Sequence, residues 1–327
     1  MSSKKETTLF LIAMLVVTIV PIVFVLVFAE SRGSSKTVDN VFSLLLVLGT
    51  MHVALTLFFY TDRRYRVYFK ENNRFFYYLP IFLILGTGLS YEILGKDNAN
   101  YLFLMYHAWL VYHYGRQNYG LLCFATIGTG GKRVRKGERI ILHLAPIAGI
   151  LASMPLLGQA KKSIFAPYLD LFYATGLAIF VIVIGALVYV LVNNLRYRTN
   201  LWHSAFLVTL SLFYLPTFLS DNHMAGFMSY AIAHALQYFV FMYYLAADQK
   251  QGSTHARLFT LVGVAIAGWV TIWLFRDADL WGAFDQLAAG IGLGIVMAHF
   301  VVDAGTWKLS RSFQRSAVQD SFHFLFK

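Results

Sequence analysis

The stretch MYHAWLVYHYGRQNYG, Met105 to Gly120, sits inside an apolar run long enough to cross a bilayer, yet it carries His107, His113, Arg116, Gln117 and Asn118. Ionisable and amide side chains at that depth are costly unless they are paired, hydrated or bound to something. On a helix, His113 and Gln117 share a face, while His107, Tyr114 and Asn118 form a second stripe about 120° round. One helix thus offers two polar lines to its neighbours, and what those lines face is the functional question.

The rest of the chain supplies the context. Of its 327 residues, 58% are hydrophobic, 17% aromatic and 13% charged. A soluble domain carries roughly 25% charged residues. Runs of apolar residues recur, each long enough to span a hydrocarbon core of about 30 Å. The reading is an all-α, polytopic integral membrane protein, a single transmembrane helical domain over residues 1–327. The net charge of +11 does not point to nucleic acid, because the basic residues lie in short clusters between apolar runs. They read as topology signals. The first run, Thr8 to Ala29, is too long for a signal-peptide core and lacks a small-residue cleavage site, so it counts as a membrane helix. Cys123 is the lone cysteine, which excludes an intrachain disulfide and a cysteine-rich metal site.

Ten spans are expected, at 8–29, 41–61, 76–94, 100–126, 140–157, 168–194, 203–220, 224–247, 258–275 and 284–308. Basic clusters test this count. They follow the second span (Arg63, Arg64, Arg66, Lys70, Arg74), the fourth (Lys132, Arg133, Arg135, Lys136, Arg139), the sixth (Arg196, Arg198) and the tenth (Lys308, Arg311, Arg315). With ten spans all of them fall on one side, together with both termini, and the positive-inside rule makes that side cytoplasmic. Lys161 and Lys162 are the main exception. A bacterial-type inner membrane is the expected location. The Gly-rich loop Gly128 to Gly131 lacks the Lys-Ser/Thr ending of a phosphate loop and reads as a turn. The tail over 309–327 mixes basic residues with Phe313, Phe322 and Phe324, which suits an interfacial helix or a docked or disordered tail.

The ten histidines are not equivalent. His143, His203, His223, His255 and His323 fall in loops, in the tail or near helix ends, and surface or interfacial positions are expected for them. At a rise of ~1.5 Å per residue, His52, His113, His234 and His299 all lie within several Å of the bilayer midplane, on four different helices. His107 is about two turns further out than His113. Deep imidazoles in one layer are what a metal site in a helical bundle requires, and imidazole nitrogen suits Fe, Cu and Zn. Helical spacing offers groups to orient them: Thr56 after His52, Gln117 after His113, Gln237 and Tyr238 after His234, and Asp303 after His299. Asp303 could instead ligate directly. Two other readings stand beside the metal site: a metal-free polar cluster of a proton-coupled transporter, and axial haem ligation by two of the histidines. Glycines at 86, 88, 290, 292 and 294 read as close helix packing, or as room for an elongated lipid-like substrate.

Several familiar motifs are missing: the HxxxH and HxxHH boxes of membrane desaturases, H-E-x-x-H, G-x-S-x-G, and an acidic DDxxD pair. The placement of the histidines resembles the Brp/Blh family of bacterial membrane β-carotene dioxygenases. His52 in MHVAL looks like that family's first helix histidine, with Thr56 where the family has an acidic residue. His113 in YHYGRQ looks like the second motif, His234 like the first member of a third His-x-x-x-His pair whose second place is Tyr238 here, and His299 with Asp303 like a late His-x-x-x-Asp element. The resemblance covers spans two to ten as a pattern. It implies a non-haem iron oxygenase that uses O₂ on a long apolar substrate such as a carotenoid or fatty acyl lipid. His52, His113, His234 and His299 would be the iron ligands and His107 a reserve ligand; Asp303, Gln117 and Gln237 would orient the ligands and, with Tyr238, are the candidate catalytic residues.

Overall fold

The computed structural model describes residues 3–31, 43, 47–131, 133–196, 200–220, 223–247, 253–276 and 280–326. Among these residues every regular element is helical. In chain order the main helices are α1 Ser3–Ser31, α2 Val47–Thr61, α3 Arg63–Glu71, α4 Leu79–Gly128, α5 Lys136–Ser153, α6 Leu169–Arg196, α7 Leu201–Ser211, α8 His223–Ala246, α9 Thr254–Arg276, α10 Asp285–Thr306 and α11 Ser312–Ser321. Part of the expected second span (41, 42 and 44–46) and the basic residues Lys132 and Arg198 lie outside the described residues, as do the side chains of Arg196 and His223.

Six stretches among the described residues are long and apolar enough to cross a membrane: Lys4–Phe24, Arg74–Gly95, Lys136–Leu156, Ala166–Asn194, Thr254–Phe275 and Gly282–Thr306. Several such helices are what a multi-pass membrane protein has. Their outer faces carry the opposite pattern to a soluble helix. On α1 the exposed positions include Leu9, Ile12, Val16, Ile19, Val20, Val23 and Val27, an apolar stripe at helical spacing. Water would penalise such a face, whereas acyl chains solvate it.

α8 and the second limb of α4 fall short of that apolarity, and burial gives the reason. Between 101 and 127 the exposed side chains are Tyr101, Met105, Tyr112 and Arg116, one narrow stripe. On α8 most positions from Ala225 to Ala246 are buried, and Tyr243 is the one exposed side chain among them. A helix wrapped by protein needs no lipid-compatible surface, so these two are free to carry polar groups. The expected seventh span is shorter than read. α7 ends at Ser211, turns follow, and a single helical turn resumes at Pro216.

α4 is two helices joined at Gly95, whose φ of 67° is the left-handed value that glycine adopts without penalty. The Gly128–Gly131 stretch is the expected turn, with Gly130 at φ 80° and Gly131 N–H donating to Thr126 O at 2.8 Å.

The chain divides into two compact units: residues 1–45, 107–237 and 324–327, and residues 46–106 and 238–323. α4 and α8 each contribute residues to both. In the first unit, Gly115 packs on Pro146, and Gly176 meets the backbone of Ala148 and Ala152. In the second, a β-carbon on Gly290 would stand 2.6 Å from Thr87 O, and one on Gly294 2.6 Å from Ile84 Cα. The glycines of α10 thus let its backbone touch that of α4's first limb, which is the packing role expected of them. Gly292 and Gly86 lack such close neighbours. Gly268 of α9 rests on Ala54, two residues from His52.

An aromatic core closes one end of the second unit. Phe69 stacks on Phe76 at 4.0 Å, and Tyr68 stacks on Phe313 of the tail at 4.2 Å. The tail is therefore docked. Arg64 pairs with Asp320 at 3.1 Å, and Val318 and Phe322 are fully buried. In the first unit the last residues reach back to α1, where Thr7 Oγ1 donates to Phe324 O at 2.8 Å.

Candidate metal centre

Each unit holds one buried pair of the histidines picked out from the sequence. In the second unit, His52 of α2 and His299 of α10 meet edge to face, with ring centroids 5.0 Å apart. Tyr238 of α8 closes the group at 5.7 Å from His52 and 5.6 Å from His299. All three are almost fully buried, as are Thr56 and Asp303.

The hydrogen bonds around His299 form a chain whose direction can be worked out. Asp303 accepts from Trp307 Nε1–H at 2.8 Å and is bonded to the Tyr238 hydroxyl. With Asp303 ionised, the carboxylate is an acceptor only and Tyr238 donates to it. The Tyr238 oxygen then accepts from Thr56, 3.2 Å away. The Thr56 oxygen in turn accepts from His299 Nδ1–H at 2.5 Å. With the proton on Nδ1, the imidazole lone pair is on Nε2, the arrangement a metal ligand needs. Helical spacing had placed Thr56 beside His52 and Asp303 beside His299. Thr56 serves His299 instead, whereas Asp303 does lie beside His299, with a carboxylate oxygen within 4.8 Å of one of its ring nitrogens, and is also linked to it through Tyr238 and Thr56.

In the first unit, His113 of α4 and His234 of α8 also meet edge to face, with centroids 5.0 Å apart. The ring of Tyr114 lies 4.3 Å from that of His234. Gln117 Nε2 donates to His234 O at 3.0 Å and to Gln237 Oε1 at 2.8 Å. Gln237 Nε2 donates onward to Thr18 Oγ1 of α1 at 2.8 Å. The two amides were expected beside the imidazoles; they clamp the α8 backbone and tie it to α1. His234 and Tyr238 lie one turn apart on the same unbroken helix.

His107 goes elsewhere. Its Nε2 bonds Ser153 Oγ at 2.7 Å, and Ser153 already donates to Ile150 O, so His107 is the donor. It belongs to neither pair. Arg116 also leaves the polar line, donating to His143 Nε2 at 3.3 Å and resting over the Tyr119 ring.

The buried histidines His52, His234 and His299 could hold a metal ion, and His113, His299 and Asp303 are a second such set among the described residues. Their chemistry suits one: neutral nitrogens with a carboxylate held in reserve are donors for Fe, Cu or Zn.

One expectation fails. His203 was placed at the surface or interface, but it is 5% exposed. Its Nε2 meets Glu138 Oε1 at 2.8 Å and its Nδ1 meets Thr126 Oγ1 at 3.1 Å. Thr126 spends its own proton on Leu122 O, so His203 Nδ1 donates to it. Glu138 also accepts from Arg135 N–H at 2.8 Å and from Asn194 Nδ2 at 3.4 Å. A backbone donor, an amide donor and the His203 ring thus converge on one buried carboxylate. Spacing along the chain hides this cluster, because its members come from α4, α5, α6 and α7.

No family model, no curated protein and no solved structure matches this chain.

Proposed function

We propose that the chain is an integral membrane oxygenase whose non-haem metal, iron foremost, is bound by His52, His234 and His299. It would act with O₂ on a long apolar substrate, a carotenoid or fatty acyl lipid, as the resemblance to the Brp/Blh family suggests. The observation that carries this reading is the buried hydrogen-bonded chain from His299 through Thr56 and Tyr238 to Asp303, which with Asp303 ionised presets one imidazole for ligation. Iron bound there would supply the electron transfer to O₂ that no side chain of this protein can provide. His52, His234 and His299 would bind it, and three imidazoles leave room for further ligands. Asp303 and Tyr238 are positioning residues that hold the His299 tautomer. His113 packs against His234 and limits its rotation, and Gln117 fixes the helix that carries it. The apolar surroundings keep water from the reacting groups. On this reading the helices make ten crossings, with both termini in the cytoplasm of a bacterial-type cell.

A proton-coupled carrier is the second reading, favoured by the same run of hydroxyls ending on Asp303. The test is oxygen uptake by purified, iron-loaded protein supplied with β-carotene or an unsaturated fatty acyl ester in mixed micelles. Uptake that depends on the apolar substrate, yields a cleaved or oxygenated product and disappears in His234→Ala is expected. Absence of any turnover across both substrate classes, together with pH-driven flux in proteoliposomes, would favour the carrier.

A further inference from the structure

A half-open cavity of about 450 Å³ lies in the second unit, away from the histidines, where two membrane-length helices end. Arg74, which opens the Arg74–Gly95 span, is on one side. Lys308 and Arg311, which follow the Gly282–Thr306 span, are on the other. Glu71 is the one carboxylate in the lining, so the cavity carries an excess of positive charge. Among the described residues no ion pair engages Arg74, Lys308 or Arg311. Arg311 is aimed by a hydrogen bond to the Tyr68 hydroxyl at 3.3 Å, and Tyr68 is itself held by its stack on Phe313. Gly305 matters at the wall, since a β-carbon there would run into the rings of Phe75 and Phe76.

Both spans stop being apolar at this level, which is where lipid phosphates lie. Guanidinium groups match phosphate oxygens in a planar fork. Leading away from Arg74 along its helix, Phe75, Tyr78 and Phe82 are exposed at 39%, 63% and 70%. A headgroup in the cavity would therefore leave its acyl chain against an aromatic, outward-facing stripe. A free phosphate would gain nothing from that stripe. We infer that this cavity binds the phosphate of an anionic membrane lipid through Arg74, Lys308 and Arg311.

The test places purified full-length protein in mixed micelles of phosphatidylglycerol and phosphatidylcholine, and measures by mass spectrometry the lipid retained after detergent exchange. Wild-type protein is expected to enrich phosphatidylglycerol. Arg74→Gln/Lys308→Gln/Arg311→Gln should lower that enrichment by roughly 5-fold per cation removed, the usual worth of a basic residue at an anionic surface. Arg63→Gln/Arg66→Gln/Lys70→Gln removes the same charge from neighbouring positions outside the cavity lining and should leave the enrichment intact. An equal loss in both triple variants would overturn the site in favour of diffuse surface charge, as would no enrichment in the wild type. Inorganic phosphate is the second probe. If it raises the melting temperature of delipidated protein and phosphatidylglycerol does not, the lipid assignment is wrong.

Discussion

Replacing Thr56 by Val isolates the proposed role of the hydrogen-bond chain, because it removes one oxygen and keeps the shape of the side chain. That oxygen is hydrogen-bonded to His299 Nδ1 at 2.5 Å and to the Tyr238 hydroxyl at 3.2 Å. Both partners are buried, and water does not replace what they lose. A buried polar group left without its bond costs about 1–3 kcal/mol. Tyr238 keeps its bond to Asp303, so the greater loss falls on His299, whose tautomer and ring orientation are no longer fixed. Partners of metal-ligating histidines are worth about 10–100-fold in metal affinity. Competitive chelator titration of Thr56→Val should show a loss of that order. Thr56→Ser, which restores the hydroxyl, should recover most of it, and both variants should melt within a few degrees of each other. Unchanged affinity in Thr56→Val, with a melting temperature lowered as in an ordinary core substitution, would refute the claim that Thr56 presets His299.

Other consequences can be checked in parallel. Gly290→Ala and Gly86→Ala should move stability in opposite directions. Alanine favours a helix by about 1 kcal/mol at an open site such as Gly86, whereas at Gly290 the new methyl would meet backbone 2.6 Å away; a melting curve for each decides it. Glu138→Gln replaces the charged acceptor shared by Arg135 N–H, Asn194 and His203 with a neutral amide, a loss of about 1–3 kcal/mol, to be read from denaturant unfolding. His203→Ala combined with Glu138→Gln should cost less than the two single losses added together. Phe324→Ala removes a buried ring that packs edge-on against Phe10 of α1, and about 3–5 kcal/mol of stability with it. Limited proteolysis would then release the tail from a chain that is otherwise folded.

The fold class was legible because lipid leaves a strong mark on sequence: long apolar runs, punctuated by basic clusters. Six stretches that meet that criterion coincide with expected spans to within a few residues. Reading was hardest at α7, where apolar composition continues through Pro216 but the helix does not. The deep histidines were legible one by one, because a polar residue in an apolar run stands out. Their partners were legible only in part. Spacing along a helix identifies which residues share a face; it placed Asp303 beside His299 correctly, but it paired Thr56 with His52. Neighbouring helices bring groups closer than the same face does, so Thr56 bonds a histidine 243 residues away. The same cause hid the Glu138–His203 pair, whose members lie 65 residues apart at the ends of different helices.

Metal content of the purified protein, measured by inductively coupled plasma mass spectrometry after expression in metal-replete medium, tests the proposed centre most directly. Near-stoichiometric metal is expected in the wild type, retained in His107→Ala, whose imidazole is committed to Ser153, and lost in His52→Ala/His234→Ala. A wild type without metal, or a double variant that keeps the full amount, would contradict it.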